Sequence, residues 1–317
     1  MSFRYTLSSP STLRLCVICG LSPSDGVKLM KCNGCVDPPT YCSKECQKAH
    51  WPTHKASCQY ISNKRMLSNG PCSLPDELHG FATLQHLTQA FSDYLSAHEW
   101  ALETVTKIST LLRYDFGRCE QPDNAVLRFR FARSSPAGNP NSNPARTFTF
   151  LRTEWLDETD PRKISILAAS RANGLAQFRR SCPPVVRSPD GAVLALFTLD
   201  GSVHNSLQSF PWYRPDPGGI ASLGSHLDLP LEELTKICLR SLNTELPFRA
   251  PSEGVGQLQL PVPGRYKRIR KQWVWEPLFT DWVDYIEGHT QCSPLVVLEG
   301  LTMKPPPQDL MLLYYNI

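Results

Sequence analysis

Seven of the 12 cysteines lie close together near the start of the chain, between Cys16 and Cys58. Thiolate and imidazole groups are ligands that zinc prefers, and a structural zinc ion takes four of them. An intracellular chain seldom keeps disulfides, so a dense cysteine cluster there indicates metal binding. With one histidine, these cysteines form four ligand pairs: Cys16-x2-Cys19, Cys32-x2-Cys35, Cys42-x3-Cys46 and His54-x3-Cys58. Eight ligands predict two tetrahedral zinc sites, and therefore two Zn2+ per chain.

The spacing within each pair predicts the backbone around the ligands. Two intervening residues let a tight turn direct both sulfurs at one metal, and Gly20 and Gly34 tolerate the positive φ of such turns. Three intervening residues place both ligands one turn apart on a short helix. The segment from Cys16 to Cys58 holds too few large apolar side chains to build a sufficient core. We therefore expect zinc, at roughly 10–16 kcal/mol per structural site, to be part of the fold.

The second half of this segment carries a family resemblance. The stretch TYCSKECQKAHWPTHKASC, residues 40–58, resembles the signature of the MYND-type zinc finger. A RING finger would place its histidine between the second and third ligand pairs, whereas here the histidine belongs to the fourth pair. A finger followed by an unrecognised region is similar to many fungal MYND-domain proteins. The resemblance implies a small cross-braced finger of turns and short helices around two zinc ions.

The resemblance also implies which ligand pairs share a metal, an assignment that spacing alone leaves open. His50 is an alternative to His54, because it follows Cys46 after three residues and so has ligand-like spacing. The family pattern favours His54, which leaves His50 beside the site or facing solvent. In the family the pairs interleave, so the implied zinc sets are Cys16, Cys19, Cys42 and Cys46, and Cys32, Cys35, His54 and Cys58.

The charge of the finger indicates what kind of partner it could bind. Six Lys/Arg and three Asp/Glu between Arg14 and Cys58, with seven thiolates and two zinc ions, sum to a charge near zero. A neutral module attracts a phosphate backbone only weakly, so nucleic acid is not the expected partner. The resemblance implies a protein-interaction module for short proline-rich peptides, with Gln47 and Trp51 bordering the groove. Alternatively, Trp51 only covers the second zinc site.

The rest of the chain predicts a second domain. At 317 residues and 41% hydrophobic, the chain is long enough for about two domains. We expect a tail over residues 1–15, the finger over 16–58, a linker over 59–75 and an α+β domain of unknown role over 76–317. Its expected elements are helices within Asp76–Arg113 with a second start at the Ser96-x-x-Glu99 capping box, a hairpin of Val126–Phe131 and Arg146–Phe150, a helix over Ile164–Arg180, a strand over Val193–Leu199 and a helix over Pro230–Leu242.

One basic run lies in this second domain, and it has two interpretations. Gly264–Trp275, GRYKRIRKQWVW, could be a nuclear-import signal or a patch for an anionic partner. It could also be the exposed face of a strand whose other side holds Tyr266, Ile269 and Trp273. The strand face is the preferred interpretation.

The sequence offers little for an enzyme. It has no Gly-rich nucleotide loop and no G-x-S-x-G elbow, and His204, His226 and His289 are scattered. The alternative function is a SET/MYND-like lysine methyltransferase, but only 15 residues precede Cys16 and the SET string Asn-His-Ser-Cys is missing.

The expected function is therefore that of a non-enzymatic adaptor. The net charge of +4 is too slight to argue for nucleic acid across the whole chain. No apolar run is long enough to span a bilayer, and the first residues lack the apolar core of a secretory signal. We expect an intracellular location, nucleus or cytoplasm, and a nuclear location would add transcriptional regulation to the same activity.

Overall fold

A computed structural model of the 317-residue chain gives the fold. The structure describes residues 16–19, 21, 27–32, 39–52, 54–55, 58, 78–114, 124–134, 142–181, 188–202, 205–213, 228–250, 260–269, 272–285, 295–301 and 306–314. The predicted tail over residues 1–15 and linker over 59–75 lie outside these described residues.

The first part of the chain folds around a small antiparallel ribbon. Strand β1 (Met30–Lys31) pairs with β2 (Thr40–Tyr41), with Met30 opposite Tyr41. Helix α1 follows over residues 44–52. The small core contains Tyr41, which is fully buried, together with Cys32 and Cys58. Apart from Tyr41 this core is made mostly of sulfur-bearing side chains, as expected for a segment that metal stabilises.

Two consecutive helices, α2 (Leu84–Ala97) and α3 (Glu99–Tyr114), open the second part of the chain. Helix α2 begins later than the predicted Asp76, because Thr83 caps it by accepting a hydrogen bond from the backbone N–H of His86. A helix cannot run through Gly80, whose φ is 76°. The predicted second helix is present as α3, but it begins at Glu99 and Ser96 does not cap it, since Ser96 lies in the last turn of α2.

A four-stranded mixed sheet forms the centre of the second part. Strands β3 and β4 form the predicted antiparallel hairpin, although β4 begins two residues after the expected Arg146 because residues 144–146 form a 3-10 turn. Strand β5, the predicted buried strand, lies parallel to β3, and helix α4 connects β4 to β5. The bounds are β3 (Ala125–Arg133), β4 (Phe148–Asp157), α4 (Pro161–Ser181), β5 (Gly191–Leu199) and β6 (Asn205–Trp212), in the sheet order β4-β3-β5-β6.

The two faces of this sheet are covered by different helices. On one face Phe131 packs against Phe91 of α2, with ring centroids 5.7 Å apart. On the other face α4 contributes Leu167 to a smaller cluster with Val126 and Leu194. Alternate side chains of the sheet therefore pack on opposite faces, against different helices.

The remaining elements complete a region of helices and sheets, as predicted. A three-stranded sheet has the order β7-β8-β9, and the basic run lies on its second and third strands. None of the helices in the described residues is both long and apolar enough to cross a membrane. The bounds are α5 (Asp228–Ser241), β7 (Phe248–Arg249), β8 (Val262–Ile269), β9 (Gln272–Pro277) and α6 (Pro307–Leu313).

Candidate metal centre

Four cysteine sulfurs from two parts of the finger converge at one point. The Sγ atoms of Cys16, Cys19, Cys42 and Cys46 all lie within 4.8 Å of one another. Cys19 Sγ is 3.3 Å from Cys42 Sγ, and Cys42 Sγ is 3.6 Å from Cys46 Sγ. Four sulfurs bound to one zinc ion at about 2.3 Å would be about 3.8 Å apart. The group therefore has the size and the donor set of a tetrahedral zinc–thiolate site.

The backbone explains how these four sulfurs meet. Cys16 and Cys19 lie on a turn closed by a hydrogen bond from Cys16 N–H to Leu21 O, as the two-residue spacing predicts. Cys46 lies on helix α1, but Cys42 lies just before the helix instead of on it. Ser43 accounts for this difference, because its hydroxyl accepts a hydrogen bond from Cys46 N–H and so caps the helix start.

The thiols of this first group have shifted pKa values. Burial raises the pKa of the Cys16 thiol, but backbone N–H groups of Cys19, Cys42 and Ile18 outweigh this and lower it to about 6. The hydrogen bond with the Cys19 sulfur, helped by burial, raises the pKa of Cys42 to about 12. Four thiolates this close repel one another strongly, and a bound divalent cation would remove the repulsion. The donor set thus fits Zn2+.

A second group of ligands includes Cys32, which lies at the other end of the ribbon from Cys42. Cys32, His54 and Cys58 are all buried, and their ligand atoms lie within 4.8 Å of one another, with Cys32 Sγ 3.8 Å from Cys58 Sγ. His54 and Cys58 both have helical backbone, as the three-residue spacing predicts. The remaining predicted ligand, Cys35, lies outside the described residues. Two thiols and one imidazole that are buried together also fit zinc.

The antiparallel ribbon sends neighbouring ligands to different groups. Cys32 follows β1 and Cys42 follows β2, so the two residues lie at opposite ends of the ribbon. The end that carries Cys32 is closed by a hydrogen bond from its N–H to Pro39 O. Of the described candidates, the structure brings four into one group and three into the other, with the pairs alternating along the chain.

His50 lies beside the second group without joining it. Its ring stacks on the ring of His54 with centroids 5.3 Å apart, and its Nδ1 lies 3.0 Å from the hydroxyl of Tyr41. Burial, followed by the charge of His54, lowers the pKa of His50. The contact with Tyr41 was not anticipated from the sequence. A buried tyrosine hydroxyl needs a hydrogen-bond partner, but the spacing of residues does not identify which one.

The two predicted peptide-binding residues lie on helix α1 beside these groups. Gln47 is half-buried, and Trp51 lies one turn later with 42% of its surface exposed. The edge-on contact of Trp51 with His54, at 6.0 Å between centroids, fixes one side of the indole. The structure thus places a partly exposed indole and an amide on the same helix face.

The isolated cysteines and histidines of the second part join no comparable cluster within the described residues. Cys238 is fully buried, and this burial strongly raises the pKa of its thiol, so it behaves as a core side chain. The isolated residues singled out in the sequence, apart from Cys238, lie outside the described part of the chain: Cys72, Cys119, Cys182, Cys292, His204, His226 and His289.

Comparison with known proteins agrees with this geometry. Residues 16–58 match the family model of the MYND finger. No solved structure matches the chain. MYND fingers are protein-interaction domains, and two clusters of cysteine and histidine ligands are what such a finger requires. Residues 16–58 therefore form a zinc-binding MYND finger.

Proposed function

We propose that this chain is a non-enzymatic adaptor whose finger docks short proline-rich peptides of partner proteins. We further propose that the protein is intracellular and takes part in transcriptional regulation. The single observation that carries the docking proposal is Trp51, a large aromatic side chain exposed on the helix that holds the candidate zinc ligand Cys46. No observation on the described residues supports a methyltransferase.

The proposal includes two zinc ions per chain, held in a cross-braced arrangement. The first is bound by Cys16, Cys19, Cys42 and Cys46, whose convergence supports the assignment. The second is bound by Cys32, His54 and Cys58, and Cys35 supplies the fourth ligand that a closed structural site needs. Zinc here has a structural task, because closed sites leave no position for a substrate.

Zinc would fix the peptide-binding helix at both of its ends. Cys46 precedes Gln47 in α1, and His54 contacts the ring of Trp51. A Trp edge can accept a proline ring, and a glutamine side chain can hydrogen-bond the main chain of an extended peptide. Because the helix is held before the peptide arrives, little conformational entropy is lost on binding. Docking should therefore depend on metal.

The charge beside this surface indicates which peptides it would prefer. Lys44 and Lys48 are exposed and lie within one turn of Gln47 on helix α1, against the single exposed acid Glu45. Complementary charge raises the association rate and rejects partners with the wrong charge. Proline-rich peptides with acidic flanking residues should therefore bind better than the same peptides with basic flanks.

The test is a fluorescence titration of proline-rich peptides, in acidic-flank and basic-flank versions, against the full chain. We expect Trp51→Ala to weaken binding about tenfold or more, because an aromatic anchor at the centre of an interface is a typical hot spot. The zinc content of the variant should stay at the wild-type value.

Ile166→Ala is the matched control, since Ile166 is also an exposed large side chain but lies on helix α4. Its peptide affinity should equal that of the wild type. Loss of zinc from Trp51→Ala would mean that the indole is only a cover for the metal. Failure of the wild type to bind any proline-rich peptide would overturn the docking proposal.

A further inference from the structure

A second candidate surface lies far along the chain from the finger, on the β8–β9 hairpin. From Val262 to Pro277 the sequence has five basic residues against the single acid Glu276. Arg265, Lys267 and Arg268 are exposed on β8, whereas Arg270 and Lys271 lie outside the described residues. Three aromatic side chains are interleaved with these cations: Tyr266, Trp273 and Trp275.

The strand register gathers the aromatic side chains on one face of the hairpin. Tyr266 lies opposite Trp275, and Arg268 lies opposite Trp273. Directly opposed residues of an antiparallel pair point to the same side, and alternate residues along a strand do so too. This face therefore carries Tyr266, Arg268, Trp273 and Trp275 together. The guanidinium of Arg249, on neighbouring β7, lies over the ring of Tyr266 at 5.4 Å from its centroid.

The base of this face is rigidly held, while its outer part extends beyond the third strand. The indole Nε1 of Trp275 donates a hydrogen bond to Pro247 O at 3.2 Å, and its ring lies so close over Gly264 that no Cβ would fit there. Strand β7 pairs only with Val262 and Pro263. Beyond them, the described residues provide no third strand, so Trp273 and Arg268 lie at the far end of a two-stranded ribbon.

The opposite face of the ribbon is more open to solvent than the aromatic face, where Trp273 and Trp275 are half-buried. Lys267 pairs with Glu276 there, and Ile269 and Val274 are 44% and 40% exposed. The sequence interpretation that put Ile269 on the covered side is therefore wrong, because Ile269 shares the face of Lys267. Core packing therefore holds the ribbon at its base, through Trp275, and contributes less toward its outer end.

We propose that the β8–β9 ribbon binds single-stranded nucleic acid. Surfaces that do so combine cations for the phosphates with aromatic rings on which bases stack. On this ribbon the aromatic face also carries the exposed Arg268, and the exposed Arg265 and Lys267 lie on the opposite face of the same two strands. The small net charge of the whole chain does not oppose this, because this short stretch has a local excess of five basic residues over one acid. An acidic protein segment would be attracted by the cations, but it would not need the aromatic rings beside them.

The test uses the full zinc-loaded chain and fluorescently labelled oligouridylate, with the matching DNA strand and an RNA duplex as further probes. Anisotropy titrations at several salt concentrations give the affinity and its salt dependence. We expect the single strands to bind better than the duplex. Trp273→Leu should weaken binding about tenfold through loss of stacking, while Arg268→Gln should reduce the salt slope by about 1.

Two control variants test whether RNA binding is confined to the ribbon. Arg162→Gln removes an exposed arginine from helix α4 and should leave RNA binding unchanged. Trp51→Ala, which tests the peptide surface, should also leave it unchanged. Thermal melts that match the wild type would show that the ribbon variants are folded, and Arg268→Gln keeps the proposal testable if Trp273→Leu does not fold.

Three outcomes would overturn the proposal. The first is an absence of binding at low salt. The second is an effect of the arginine variant without any effect of Trp273→Leu, which would indicate unspecific attraction of polyanions. The third is equally strong competition by polyglutamate, which would assign the ribbon to acidic proteins instead.

Discussion

At the level of single residues, His50 and His54 are the pair whose roles the sequence alone could not separate. His50 follows Cys46 and His54 precedes Cys58, each with three residues between. The two imidazole rings are stacked in the structure. The ligand atom of His54 lies with those of Cys32 and Cys58, whereas the ring of His50 is directed at Tyr41. A histidine stacked on a ligand can orient it without binding the metal.

We predict that His54→Ala lowers the zinc content of the purified chain from two ions to one, whereas His50→Ala retains both. Removal of His54 takes away one of the three ligands that meet in the second group, and a structural zinc site needs four donors. Atomic emission on desalted protein measures the metal directly. Equal zinc loss in the two variants would mean that the stacked rings share the ligand role, and loss only from His50→Ala would reverse the assignment.

The ligand residues were accessible to prediction because metal binding imposes spacing on the chain itself. Pairs such as Cys16 and Cys19 need only a local turn, so a few neighbouring letters reveal them. The role of Tyr41 was not accessible in this way. Its hydroxyl meets a ring nine residues later in the sequence, between a strand and a helix, and no periodic pattern records that contact.

At the level of elements, helix α4 shows how closely a helix can lie on the sheet. Gly174 faces Ser209 of strand β6, and a Cβ added at Gly174 would lie 2.6 Å from the Ser209 Cβ and closer still to its hydroxyl. Glycine inside a helix costs about 1 kcal/mol relative to alanine. This close approach gives a physical reason for a residue that weakens the helix.

We therefore predict that Gly174→Ala destabilises the chain by about 1–3 kcal/mol, in spite of its gain in helix propensity. Urea unfolding followed by circular dichroism measures the change. Gly191→Ala is the matched control, because its new Cβ would meet Trp212 only at ordinary contact distances of 3.7–3.8 Å. The variant Gly174→Ala/Ser209→Gly should recover part of the loss, and an unchanged or higher stability of Gly174→Ala alone would contradict the close packing.

The elements of the second part were predictable where a long periodic pattern exists and less so at their ends. Helix α4 covers the expected stretch, and strand β5 contains the continuous apolar run that predicts a buried strand. The start of α2 depends on one hydroxyl, that of Thr83. The Ser96 pattern indicates a helix cap, but Ser96 lies within α2. Strands β3 and β5 pair in parallel although strand β4 and helix α4 lie between them in the sequence. Local sequence patterns do not predict such a distant pairing.

At the level of the whole molecule, the finger and the body have separate apolar cores. The core of the finger contains Cys32, Tyr41 and Cys58, while the large cluster of the body begins at Phe81 and extends to Met311. Between the described residues of the two parts, a hydrogen bond runs from Lys31 Nζ to Gln89 Oε1 at 2.8 Å. An exposed bond of this kind contributes little to stability.

We predict that removing zinc unfolds the finger and leaves the body folded. A chelator takes away the ions that replace an apolar core in the finger, whereas the body retains its buried aromatic cluster. Calorimetry should show the main transition of the body at the same temperature with and without the chelator. The chain has seven tryptophans, so the fluorescence of Trp51 is read as the difference between the wild type and Trp51→Ala; it should change on chelation, and zinc should restore it. Lys31→Ala, the control for the connecting hydrogen bond, should behave as the wild type does. If chelation abolished the cooperative melt of the entire chain, the finger and the body would be one folding unit, and the boundary between residues 58 and 76 would be wrong.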